Sequence, residues 1–120
     1  MLSRRELGQQ GEALASDFLA RRGYRVVARN HRTRFGELDL VVQDGPEMVF
    51  VEVKTRIGGE QTAPEESVSP AKARRLARLA EAYLVDHGRE EMMWRIDVVA
   101  VLLDREGRLW RIDHLRNALY

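Results

Sequence analysis

The chain has 120 residues, of which 44% are apolar and 32% charged, a size and balance that suit one α/β domain rather than two. It contains no cysteine, which excludes disulfide scaffolds, thiolate metal sites and thiol nucleophiles. No apolar run approaches the roughly 18 residues of a membrane span, and the start lacks the apolar core of a secretion signal, so a cytoplasmic protein without a membrane partner is expected. The 20 basic and 19 acidic residues nearly cancel, yet they lie in blocks. Arg21, Arg22, Arg25, Arg29, Arg32 and Arg34 follow one another with no acidic residue between them, and residues 37–68 are strongly acidic. Lysine occurs only at Lys54 and Lys72.

The first element reads as a helix from Ser3 to Arg22. Ser3 and Glu6 have capping-box spacing, Gly23 supplies the stop, and Leu7, Gly11, Leu14, Ala15 and Phe18 form the apolar stripe. Strands are expected over Tyr24–Asn30, Gly36–Gln43 and Met48–Thr55, the last two joined as a hairpin by Asp44-Gly45-Pro46-Glu47. Thr55–Ser69 reads as a polar loop at the length where loops are usually functional or disordered. Ser69 as N-cap and Pro70 in the first turn open a second helix to about His87, with Ala73, Leu76, Leu79, Ala80 and Tyr83 on its apolar face. Trp94–Leu103 and Leu109–His114 form a second hairpin, and Leu115–Tyr120 is expected to make a helical turn. The order α-β-β-β-α-β-β implies one mixed five-stranded sheet flanked by helices.

Chemistry concentrates in the first hairpin. Strand alternation puts Met48, Phe50, Glu52 and Lys54 on one face, and Glu37, Asp39 and Val41 on one face of the partner strand. A turn symmetric about Gly45 and Pro46 sets Asp39 opposite Glu52 and Glu37 opposite Lys54. Two directly opposed carboxylates repel, and a cation between them relieves the repulsion. Mg²⁺ suits such a pair because it takes oxygen ligands and keeps several waters. Lys54 beside it is suited to orient an attacking water or to balance charge on phosphorus. The same spacing also fits a solvated sheet face on which Lys54 merely pairs with Glu37.

The run Gly36-Glu37-Leu38-Asp39-Leu40, followed thirteen residues after Asp39 by Glu52 within Phe50-Val51-Glu52-Val53-Lys54-Thr55-Arg56, resembles the core of the PD-(D/E)XK nuclease superfamily. With Gly11-Glu12, Gly23-Tyr24, Arg29-Asn30-His31-Arg32 and Lys72, the chain more narrowly resembles the YraN-like family of small bacterial endonuclease-like proteins, itself similar to archaeal Holliday junction resolvases. Leu38 stands where the superfamily name has Pro. The resemblance implies a restriction-endonuclease-like α/β fold and a DNA endonuclease using Mg²⁺, with Mn²⁺ as a substitute. It also implies branched DNA as a substrate and, by analogy, a homodimer. It assigns Asp39, Glu52 and the Val53 carbonyl to the metal, Lys54 to the attacking water, and Glu12 as an accessory carboxylate.

Residues outside the hairpin are read beside this. Glu12 lies about 140° round the helix from Leu7 and has no charged residue three or four positions away to explain it. Lys72 falls on the apolar stripe of the second helix and faces either a phosphate or the carboxylates, or else snorkels to water. Arg29, Arg32, Arg34, Arg56 and Arg75, with Lys72, are candidate contacts to a nucleic-acid backbone, since guanidinium forks suit phosphate oxygens; pairing with the acidic blocks is the alternative for each. Neither His31, His87 nor His114 has paired metal spacing. The competing readings are a nucleic-acid-binding protein with a vestigial nuclease site, and a protein-interaction module.

Overall fold

The computed structural model describes residues 2–58 and 69–118. The elements are α1 (Arg4–Arg21), β1 (Arg25–Thr33), β2 (Gly36–Asp44), β3 (Glu47–Ile57), α2 (Pro70–Asp86), β4 (Met93–Leu103) and β5 (Leu109–Leu115). They form one five-stranded sheet in the order β1-β2-β3-β4-β5, the expected layout. It is mixed, because β3 and β4 run parallel through the α2 crossover while every other neighbouring pair is antiparallel.

Local chemistry sets the helix ends as expected. The Ser3 side chain accepts from the Glu6 N–H at 3.1 Å and Glu6 returns a bond to the Ser3 N–H at 2.9 Å, closing the capping box. Ser69 caps α2, with Pro70 in the first turn.

Each helix covers one sheet face. Ala15 and Leu19 of α1 pack on Leu40, Val42, Val49, Val51, Val99, Val101 and Leu103. Ala73, Leu76, Leu79, Ala80, Tyr83 and Leu84 of α2 pack on Leu38, Val41, Met48, Phe50, Ile96 and Val98. All five stripe residues read for α2 are in this core.

Several expectations are corrected. β1 does not stop at Asn30 but continues to Thr33: Asn30 takes a left-handed φ of 51°, which asparagine tolerates, and pairing resumes at His31↔Leu38. β3 runs on to Ile57, so the loop after it begins at Gly58; Gly59 and the remainder to residue 68 lie outside the described residues. The chain does not make a helical turn from Leu115: β5 includes Leu115, and Arg116–Asn117 form a turn with Asn117 at φ 55°. Residues 119–120 of that segment lie outside the described residues.

Alternation along β2 also breaks. Leu38 and Val41 share the α2 side, whereas Leu40 and Val42 face α1, so the simple period fails across Asp39. The β2–β3 register follows the symmetric turn from Asp44↔Glu47 to Leu40↔Val51 and ends there. Asp39↔Glu52 and Glu37↔Lys54 are therefore not ladder pairs. β1 likewise steps from Arg29↔Leu40 to His31↔Leu38 without pairing Asp39.

At the other end of the sheet sits a buried polar network that the sequence reading did not anticipate. Arg95 donates to Asp97 through Nε at 3.0 Å and Nη2 at 3.2 Å, to Glu47 at 2.6 Å, to Asp44 at 3.3 Å and to the Tyr24 hydroxyl at 3.2 Å. Asp97, fully buried, also accepts from the Asn117 N–H at 2.8 Å and lies 2.7 Å from His114 Nε2. These bonds lower the Asp97 pKa from the usual aspartate value against the effect of its burial, which is the largest influence and acts upward.

Candidate active site

The first carboxylate is delivered by a glycine. A Cβ on Gly11 would lie 1.8 Å from Thr55 Oγ1 and 2.9 Å from Thr55 Cβ, so only glycine lets α1 approach β3 this closely. The next residue, Glu12, is thereby brought to the sheet, where the nearby Asn30 side chain acts to lower its pKa. Burial first, then the Glu37 carboxylate, raise the Glu12 pKa above the usual glutamate value; Arg29 and Arg32 act in the opposite sense.

Asp39 occupies the break in the sheet. The ladder to β3 has ended, and the Asp39 Oδ2 accepts the Val53 N–H at 2.9 Å in place of a backbone carbonyl. In a strand, N–H and C=O of one residue point the same way, so the Val53 carbonyl also faces this gap. Glu12, Glu37 and Asp39 each present one oxygen, and the three oxygens lie within 4.8 Å of one another. Glu52 acts on Asp39 from β3: burial and then the Glu52 charge push the Asp39 pKa up to about 7, with Glu12 and Glu37 adding to the rise and the Val53 N–H opposing it.

Glu52 is only 9% exposed and forms an ion pair with Lys72. The first-turn lysine on the apolar stripe thus turns toward the sheet and meets a carboxylate. Lys54 follows Glu52 by two residues, on the same face of β3, and is half-buried. Asp39 and Glu52 line two clefts at once. One, of about 270 Å³, is completed by Phe35, Gly36, Glu37, Lys72, Arg75 and Leu76. The other, of about 710 Å³, is bounded by Arg4, Glu12, Val53, Thr55, Arg56 and neighbouring α1 residues.

The basic candidates divide. Arg56 and Arg75 border the carboxylate clefts. Arg32 is paired with Glu37 at 2.8 Å, and Arg34 lies 4.8 Å over the Phe35 ring. Arg29 is exposed on β1 and close enough to Glu12 to lower its pKa. His31 and His87 pack with the Tyr83 ring, so neither belongs to the carboxylate group.

Sequence reasoning missed Glu37 as a site residue. An extrapolated register paired it with Lys54, whereas Arg32 holds one of its oxygens and the group faces Glu12 and Asp39. The available signal was its place two residues before Asp39 in the Gly-Glu-Leu-Asp run. An all-carboxylate donor set of this kind suits a hard, oxygen-preferring cation such as Mg²⁺.

Known proteins match nearly the whole chain. The model described as "Uncharacterised protein family UPF0102" matches residues 11–101. A UPF0102 protein of Pelotomaculum thermopropionicum is 48% identical over 116 residues, covering 97% of each chain. One of Symbiobacterium thermophilum is 50% identical over 116 residues, covering 97% of this chain and 98% of its own. One of Anaeromyxobacter dehalogenans is 53% identical over 107 residues, covering 88% and 80%. Among solved structures, Pyrococcus furiosus SfsA in complex with Ca²⁺ matches at a TM-score of 0.42 and 16% identity, over 100% of this chain and 66% of that one. By the extent of the family match and the identity of these relatives, the chain belongs to the UPF0102 family.

Proposed function

We propose that this protein is a metal-dependent DNA endonuclease of the PD-(D/E)XK type, using Mg²⁺ with Mn²⁺ as a substitute, and that it acts on branched DNA. The observation that carries this reading is the convergence of Glu12 from α1 with Glu37 and Asp39 from β2 at one break in the sheet, with Glu52 of β3 lining the same two clefts as Asp39, beside Arg56 and Arg75.

Asp39, Glu52 and the Val53 carbonyl hold the cation in this reading, with Glu12 and Glu37 completing the negative surround. The cation supplies Lewis acidity and eases deprotonation of water near neutral pH. Lys54 positions the attacking water and balances charge that builds on the phosphoryl oxygens. Water attacks phosphorus and gives up its proton to solvent, the P–O bond opposite breaks, and the departing oxygen takes a proton from solvent, so that protons balance. Lys72 neutralises Glu52, which would be free to hold a cation only once that ion pair opened. Arg56 and Arg75 bind phosphates on either side of the scissile bond.

The test is cleavage of junction, flap, single-stranded and duplex DNA with Mg²⁺ or Mn²⁺. The reading expects metal-dependent cuts, favoured on branched substrates and lost in Asp39→Asn and Glu52→Ala. Salt-dependent binding without turnover under either metal would instead support a vestigial site, and unchanged cleavage in both variants would refute the site.

A further inference from the structure

A third cleft lies beside the carboxylate clefts and shares Phe35 and Arg75 with one of them. It has a volume of about 730 Å³, within the roughly 300–1,000 Å³ of ordinary ligand sites, and is lined by Thr33, Arg34, Phe35, Arg75, Arg78, Leu79, Ala82 and Asp86. Phe35 and Arg75 also line the 270 Å³ carboxylate cleft, so the two are adjacent.

Phe35 is 70% exposed at the tip of the β1–β2 turn. A single exposed phenylalanine is ordinary, but this one is held in place. Thr33 Oγ1 accepts the Phe35 N–H at 3.1 Å and donates to the Gly36 carbonyl at 3.0 Å, fixing the turn. Gly36 then passes close to Leu79 of α2, where a Cβ would stand 3.0 Å from Leu79 Cδ1. The turn that carries the ring is thus anchored, with Arg34 4.8 Å over one ring face and the other left for a base, beside an apolar floor of Leu79 and Ala82 and near Arg75 and Arg78.

Resting on the phosphodiesterase reading of the adjoining site, we infer that this cleft binds an unpaired DNA strand next to the scissile phosphate, with a base stacked on Phe35 and phosphates on Arg34, Arg75 and Arg78. Charge selects a polyanion, since three arginines line the cleft against one acid, Asp86, placed in the last turn of α2. The aromatic platform selects unpaired nucleotides, because bases inside a duplex are already stacked on both faces. This fits substrates in which single strand and duplex meet, and gives branch preference a physical source.

The experiment is fluorescence anisotropy in EDTA, where no cleavage intervenes, with single-stranded, forked and fully duplex oligonucleotides. Wild type, Phe35→Ala, Phe35→Leu, Arg78→Gln and the remote charge control Arg116→Gln are compared after thermal melts confirm that each folds. The expected result is that Phe35→Ala weakens single-stranded and forked DNA by about tenfold, in the range of one lost stacked base, with duplex binding unchanged. Phe35→Leu should be nearly as weak, since it keeps apolar area but offers no ring. Arg78→Gln should weaken all three and lower the salt slope by about one contact, while Arg116→Gln should not. Equal weakening of duplex and single strand by Phe35→Ala, or none, overturns the inference even if wild type cleaves DNA with Mg²⁺. Phe35-dependent single-strand binding without cleavage of any substrate supports the cleft and overturns the nuclease reading, and no DNA binding at low salt overturns both.

Discussion

Replacing Gly11 with alanine should destabilise this protein, against the ordinary behaviour of a glycine within a helix. In an unobstructed helix interior, alanine is worth about 1 kcal/mol more than glycine. Gly8, one turn earlier on α1, has nothing within 4 Å of where a Cβ would stand, so Gly8→Ala should show that gain. At Gly11 the added carbon meets Thr55 Oγ1 at 1.8 Å, Cβ at 2.9 Å and Cγ2 at 3.0 Å, all short of the roughly 3.5–4.0 Å of a normal carbon contact. Overpacking of this kind costs about 1–3 kcal/mol, which leaves a net loss of up to about 2 kcal/mol and a difference of about 1–3 kcal/mol from Gly8→Ala. Urea unfolding of both variants in EDTA reads this directly. Thr55→Ala in the Gly11→Ala background should recover part of the loss, because it removes two of the three offending atoms. Because α1 must retreat, Gly11→Ala should also weaken Mg²⁺ binding by moving Glu12 away from Glu37 and Asp39. A Gly11→Ala protein as stabilised as Gly8→Ala would refute the claim that glycine sets the helix-to-strand distance here.

Other predictions concern the charged groups. The Asp39 pKa lies above its unfolded value, so its charge destabilises the fold increasingly as pH rises from about 4 through about 7, fully above that, and not at all below both values. In EDTA, Asp39→Asn should therefore be more stable than wild type by up to a few kcal/mol at pH 8 and no more stable at pH 4, as read by urea unfolding; a pH-independent difference contradicts this. Asp97→Asn strips the buried Arg95 of its bidentate partner and should cost roughly 3–5 kcal/mol in urea unfolding, with Mg²⁺ binding unchanged. Lys72→Met leaves the nearly buried Glu52 without its ion-pair partner, so the melting temperature in EDTA should fall while the rise on adding Mg²⁺ grows. An unchanged Mg²⁺ response would show that Lys72 does not compete with the cation.

Much of the fold was legible because its signals are local. Ser3 with Glu6, Ser69 with Pro70, and the Gly45-Pro46 turn each state an element boundary within a few residues, and the α2 stripe shows its buried face by period alone. The register is legible as far as Leu40↔Val51, because the turn dictates it. It fails at Asp39 because that side chain replaces a ladder hydrogen bond, an event no alternation rule encodes. Leu38 then turns to the α2 side, and Glu37 turns to Glu12 rather than to Lys54. Of the candidate site, the proximity of Asp39, Glu52 and Glu12 was suggested by motif and helix face, and Lys72, expected at a nucleic-acid backbone, pairs with Glu52. The Arg95–Asp97 network was not, since its partners Tyr24, Asp44, Glu47, His114 and Asn117 are scattered along the chain and meet only through the sheet. Among the described residues no helix is long and apolar enough to cross a membrane.

If the carboxylates at the break in the sheet hold a catalytic cation, a Mn²⁺-soaked crystal will reveal it. Anomalous difference density should show a peak in contact with Asp39 and Glu52, with Glu52 released from Lys72 and Glu12 and Glu37 facing the ion. No peak there at saturating Mn²⁺, or a peak away from Asp39, with the Glu52–Lys72 pair intact, would contradict the account.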